Sequence, residues 1–166
     1  MMDSRHVSAI CAATALFAAT VGLASAASQE SELRTSLAQT AVVIVQVDAG
    51  LRLLYPARSA FVADAAELLP AGKAMLDLLA HSLRKYRRTQ IVVAVYSDAI
   101  GSSQFNQQQA QARAASVAAY LQIKGVAAAR LIARGVGESA PLNAENTAEG
   151  RDLNRRLELT ITPLSS

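Results

Sequence analysis

The stretch Gln90-Ile-Val-Val-Ala-Val-Tyr96 is followed by a polar turn at Ser97 to Ser103 and then by a Gln- and Ala-rich run from about Gln104 to Lys124. Together these decide the fold class. The first piece is uncharged and rich in β-branched residues, which reads as a strand. The last is long, free of Pro and Gly, and built on Ala, the strongest helix former. Gly125 stands where such a helix needs a residue that tolerates the left-handed region. Arg130 to Gly135 then reads as the next strand. A strand, a helix and a strand in that order imply a crossover, and so a sheet with helices laid against it.

Working outward, Ala41-Val-Val-Ile-Val-Gln-Val-Asp48 is a strand ending in an Asp-Ala-Gly turn, and Leu51 to Leu54 returns as its hairpin partner. Tyr55 to Leu69 reads as a loop. Pro70 sits at the first position of a helix, in which Met75, Leu79, Leu83 and Tyr86 recur at helical spacing with Leu76 and Leu78 beside them. Beyond the central unit, Val136 to Leu153 is a Gly-, Asn- and Glu-rich loop, and Arg156 to Ile161 alternates strictly between polar and apolar, as a half-buried strand does. The expected order is β-β-α-β-α-β-β, with the last two strands pairing as a long-looped hairpin. The fold class is α+β: an α/β sandwich of one mixed sheet with helices packed on one face, spanning residues 41–162, with a tail at 163–166.

The length of 166 residues allows one domain, and 52% apolar with 17% charged residues excludes a disordered acidic tail or a coiled-coil rod. A net charge of +3 is too small to argue for nucleic acid. From Val7 to Ser28 no residue is charged, Ile10 to Leu23 is apolar, Arg5 precedes it and Ala24-Ser25-Ala26 follows. This reads as a secretory signal peptide, residues 1–26, cut after about Ala26. The competing reading is an uncleaved anchor, for which the Ala, Thr, Ser and Gly content makes a poor span. Cys11, the one cysteine, would leave with the signal. Ala27 to Thr40 is polar and reads as a linker with a short helix at Glu32 to Gln39.

The signatures of catalysis are missing. There is no G-x-S-x-G, no H-E-x-x-H and no cysteine after the signal, and His81 stands alone beside Leu83 as a surface or satisfied histidine. The residues suggest neither a metal site nor a cofactor, and no enzyme is expected. Gly135-Val136-Gly137-Glu138-Ser139-Ala140 matches a relaxed dinucleotide pattern, but Pro141 and a polar loop follow instead of a helix, so no helix N-terminus waits for a pyrophosphate. Four basic residues between Arg84 and Arg88 fit a solvated helix end that complements the macrodipole, with a phosphate or anionic membrane surface as the functional alternative.

What remains is Tyr96-Ser97-Asp98, then Asn106, Arg113 and Asn154-Arg155-Arg156. Asp98 lies just past a strand's C-terminal end, where open sheets of this kind bind ligands. Asn106 and Arg113 are two turns apart on roughly one face of the following helix. An acid and a guanidinium held there would clamp a zwitterion, ammonium to Asp98 and carboxylate to Arg113. The same spacing fits a plain structural Asp–Arg ion pair, and spacing alone does not choose between them.

Four stretches then carry a family resemblance. Phe61 to Leu68 with Pro70-Ala-Gly-Lys73, Tyr96-Ser97-Asp98-Ala-Ile-Gly101, Asn106 to Ala114, and Gly135 to Glu138 through Pro141, Asn146 and Gly150-Arg151 to Asn154-Arg155-Arg156-Leu157-Glu158 stand in the order and spacing of the OmpA-like (OmpA/MotB C-terminal) peptidoglycan-binding domain. The segment 55–161 resembles that family. The resemblance implies a periplasmic, non-enzymatic module that binds the diaminopimelate of the peptidoglycan stem peptide. Asp98 would hold the ligand's ammonium and Arg113 its carboxylate, with Asn106, Arg155 and Asp64 as lesser contacts. Arg156 and Glu158 would serve the fold. Peptidoglycan is the implied partner, and outer-membrane or secretion-system proteins are further candidates. The rival reading is a structural or interaction domain that has lost the ligand. Three departures from the family pattern stand out. Val95-Tyr96-Ser97 replaces Gly-His-Thr and is expected to put bulk beside the site, Gln109-Ala110 replaces Leu-Ser, and Val136 replaces a common aromatic.

Overall fold

The computed structural model describes residues 25–48, 50–144 and 147–164. The segment read as a signal peptide lies outside these apart from Ser25 and Ala26, as does Asn146. Helix α1 covers residues 25–36. After it come strands β1 (Val43–Val47) and β2 (Gly50–Pro56), the short helix α2 (Ala57–Ala60), and helix α3 (Pro70–Lys85). The chain continues through β3 (Thr89–Tyr96), α4 (Ser103–Ile123), β4 (Leu131–Gly137), α5 (Ala148–Asn154) and β5 (Arg156–Pro163).

The five strands form one mixed sheet in the order β1-β2-β5-β3-β4. Only β3 and β4 are parallel. The terminal hairpin expected from the sequence does not form. β5 instead inserts between β2 and β3, antiparallel to both. The long connection from β4 allows this because α5 carries the chain back across the end of the sheet. A stretch read as loop thus contains a helix, capped by Thr147, whose side chain accepts from the Gly150 N–H at 3.0 Å.

Period-2 alternation lines up three apolar rows across four strands. They run Leu51–Ile161–Ile91–Leu131, Leu53–Leu159–Val93–Ala133 and Tyr55–Leu157–Val95–Gly135. Their members on β2, β5 and β3 are buried and meet Met75, Leu76, Leu79 and Leu83 of α3. On β4 the rows shrink from Leu to Ala to Gly. This lets the N-terminal half of α4 lie directly on the strand: a Cβ at Gly135 would stand 2.3 Å from the Gln111 backbone nitrogen. The glutamines of α4 then serve the strand backbone. Gln107 Nε2 donates to the Gly135 carbonyl at 2.8 Å, and Gln111 Oε1 accepts the Gly135 N–H at 2.7 Å. Groups that an edge strand leaves open are thereby satisfied.

At its other end α4 stops as the sequence predicts. Gly125 has φ +88, its N–H reaches the Gln122 carbonyl at 2.9 Å, and that of Val126 reaches the Leu121 carbonyl at 3.0 Å, a Schellman closure. Residues 27–40 depart from the expected linker. Leu33 and Leu37 are buried in the core, and Glu32 pairs with Lys85 at the end of α3. Two leucines four residues apart give this polar segment one apolar stripe, enough to seat α1 on the domain. His81 is exposed on α3.

Candidate functional site

β3 ends at Tyr96, and the Ser97 N–H donates to the Gly137 carbonyl at 2.9 Å, so the strand's end is held against β4. The next residue, Asp98, is only 7% exposed. One carboxylate oxygen, Oδ1, accepts the Ile100 N–H at 3.2 Å, and the other accepts from Arg155 Nη1 at 2.7 Å. Ser102 then caps α4, its hydroxyl accepting the Phe105 N–H at 3.2 Å.

Asn106 is buried one turn into α4. Its side-chain amide lies 3.2 Å from the Asp98 carbonyl, 3.1 Å from that of Ile100 and 2.8 Å from Glu138 Oε2. Its donors are spent on protein, so it fixes the Asp98 loop to the helix.

Arg113 projects from α4 toward the loop after α2. Its Nε donates to the Ala65 carbonyl at 2.8 Å and its Nη2 to that of Val62 at 3.4 Å. Its guanidinium lies 5.1 Å from the centroid of the Phe61 ring. The turn that presents both carbonyls contains Asp64 with φ 52, the one non-glycine residue with positive φ among the described residues. Burial pulls the Arg113 pKa below its ordinary value, and the charge of Asp64 works the other way.

All five residues singled out from the sequence, Asp64, Asp98, Asn106, Arg113 and Arg155, line one cleft of about 400 Å³. Asp98 and Arg113 face it without pairing with each other. Asp98 is held by Arg155, and Arg113 is held by backbone carbonyls. Of the two readings open from spacing, the direct Asp98–Arg113 ion pair is therefore not found among the described residues.

Two further residues of the cleft escaped the sequence reading. Asp152 pairs with Arg155 three residues on and with Arg58 across the cleft. The 152/155 spacing is helical and was hidden because that stretch read as loop. Arg58 is 94 residues from its partner, and nothing local marks it. The cleft lining carries three guanidiniums, Arg58, Arg113 and Arg155, and three carboxylates, Asp64, Asp98 and Asp152. Ile100 and Phe105, 61% and 54% exposed, add apolar surface at its rim.

The bulk expected from Val95-Tyr96 lies elsewhere. Val95 is buried on the helix side of the sheet. Tyr96 turns to the open face, where Arg156 stacks 3.6 Å from its ring centroid and its hydroxyl donates to Glu158 at 3.3 Å. Strand alternation takes its ring away from the cleft. Arg156 and Glu158 are both buried and joined at 2.7 Å, and Arg156 also reaches the carbonyls of Asn154 and Ala140. This group joins β5 to the loop after β4.

The molecule is an open-faced α+β domain with a charge-balanced cleft at the strand ends. The chain belongs to the OmpA family, whose match covers residues 60–155, more than half of its length. It is 36% identical to the probable lipoprotein YiaD of Escherichia coli (strain K12) over 136 residues, 82% of this chain and 62% of that protein. With Outer membrane protein A of Bordetella avium it shares 36% identity over 110 residues, 66% of this chain and 57% of that one. The chain thus spans about three-fifths of the length of these relatives. Among solved structures, the cell wall anchor of the T6SS from Pseudomonas aeruginosa superposes with a TM-score of 0.70 at 27% identity, covering 79% of this chain and 96% of the other. No helix among the described residues is long and apolar enough to cross a membrane.

Proposed function

We propose that this protein is a periplasmic, non-enzymatic module that binds the diaminopimelate residue of the peptidoglycan stem peptide and so ties an envelope component to the cell wall. The observation that carries this reading is that Asp98 and Arg113 face one charge-balanced cleft without neutralising each other. The similarity to a cell wall anchor supports it.

The distal carbon of diaminopimelate bears an ammonium and a carboxylate together. Arg113 has five N–H donors. Two are spent on the Ala65 and Val62 carbonyls, which sets the plane of the group and leaves a pair of Nη donors for a bidentate carboxylate. The ammonium lies against Asp98. Holding the ligand requires no bond to be made or broken. Outer-membrane or secretion-system proteins are the proposed partners of the remaining surface.

The test is cosedimentation of the purified protein with sacculi of the diaminopimelate type and of the lysine type. Lysine offers the ammonium but no distal carboxylate, so strong pelleting is expected only with the former. Asp98→Asn and Arg113→Met are each expected to cost about 2–5 kcal/mol of binding, as loss of one partner of a desolvated charge pair does, with circular dichroism unchanged. A folded chain that pellets with neither wall would favour the rival reading, a domain that keeps the fold and meets a protein partner.

A further inference from the structure

Asp98 is not free in the cleft. Its Oδ2 is 2.7 Å from Arg155, and taken alone that pair is neutral. An incoming ammonium would meet a carboxylate whose charge is already cancelled. Asp152 alters this. Its Oδ1 accepts from the Nη2 of the same guanidinium whose Nη1 serves Asp98, so one cation is shared between two acids. The trio Asp98, Arg155 and Asp152 carries a net charge of −1.

Arg58 takes the other oxygen of Asp152 and completes an alternating row, Arg58–Asp152–Arg155–Asp98. Exposure differs along it. The side chain of Asp98 is 9% exposed, those of Asp152 and Arg155 are 39% and 43%, and that of Arg58 is 67%. Water screens the outermost member most. The field at Asp98 is therefore set by Arg155 and Asp152, and only damped by Arg58.

We propose that Asp152 is a positioning residue of the wall-binding site, taking a share of the Arg155 charge so that Asp98 keeps the negative charge to accept the ligand's ammonium, while Arg58 opposes it. This rests on the wall-binding reading above. The two outer residues thus act with opposite sign, which a merely structural network would not do.

The experiment is calorimetric titration of the purified protein with the tripeptide L-Ala-γ-D-Glu-meso-diaminopimelate. Asp152→Asn is expected to weaken binding roughly five- to tenfold, and Asp152→Glu to recover most of that loss. Arg58→Gln is expected to tighten binding about twofold. In an Arg155→Gln background, Asp152→Asn should cost nothing further, because its target is gone. Three results would each overturn the proposal: Asp152→Asn binding as the unaltered protein does, Asp152→Asn and Arg58→Gln losing affinity together, or the Asp152→Asn loss persisting unchanged without Arg155. No binding by the unaltered protein would overturn the wall-binding reading, and this inference with it.

Discussion

Arg130 closes the C-terminal end of α3 with one guanidinium. It donates to the carbonyls of Leu83, Tyr86 and Thr89 at 2.7, 3.0 and 2.8 Å and to the Thr89 hydroxyl at 2.7 Å. It satisfies carbonyls that a helix end leaves open and joins α3 to the start of β3. Burial lowers its pKa, and nearby Arg87 adds to the effect. The basic run Arg84 to Arg88 is engaged in the same region: Arg84 donates to the Lys124 carbonyl at 2.7 Å and Lys85 is paired with Glu32. Arg130→Met is expected to lower stability by about 1–3 kcal/mol in urea denaturation, and Arg130→Lys to recover little, because an ammonium cannot reproduce the fork. Nothing in the neighbouring sequence marks Arg130, since its partners lie more than 40 residues away. Asp98 and Arg113 were legible because a strand end and a helix face are local features.

Elements were legible where one period ran long enough. α3, β3 and α4 stand close to where periodicity and composition place them, as do the β1–β2 hairpin and the close of α4 at Gly125. α1 and α5 were not foreseen in their extent, for a common reason. Each shows few apolar residues and is held by contacts made elsewhere: Leu33 of α1 and Leu37 in the turn after it reach the core, and Asp152 of α5 and Arg155 at its C-terminal cap pair with Arg58 and Asp98. Leu33→Ala is expected to cost about 2–5 kcal/mol by chemical denaturation, the range for a fully buried leucine. A polar linker would tolerate the same change without effect.

At the scale of the molecule, several shifted groups respond to alkali in the same direction. Burial raises the Tyr55 and Tyr96 hydroxyls above the ordinary value of 10.0, with Glu158 adding to the effect at Tyr96. Hydrogen bonds from Lys85 to Glu32 and from Lys124 to Asp77 raise those ammonium groups above 10.5. In each case the native state keeps a proton that the unfolded chain has begun to release. Stability is therefore whole below about pH 10 and falls as pH rises through the native values. A thermal melting series from about pH 8 to pH 11 should show the midpoint declining above about pH 10.

Sequence alone determined that this chain makes a mixed sheet with helices on one face and carries an acid at a strand end with a guanidinium two helical turns along from Asn106. Those features depend on backbone periodicity and on residues close along the chain. Tertiary structure decided where β5 lies, that Tyr96 turns from the cleft, and that Asp98 is shared with Arg155 while Arg113 is held by the carbonyls of Val62 and Ala65. Strand order and ion pairing depend on which distant segments meet once the apolar rows are buried, and a charge acquires its partner only then.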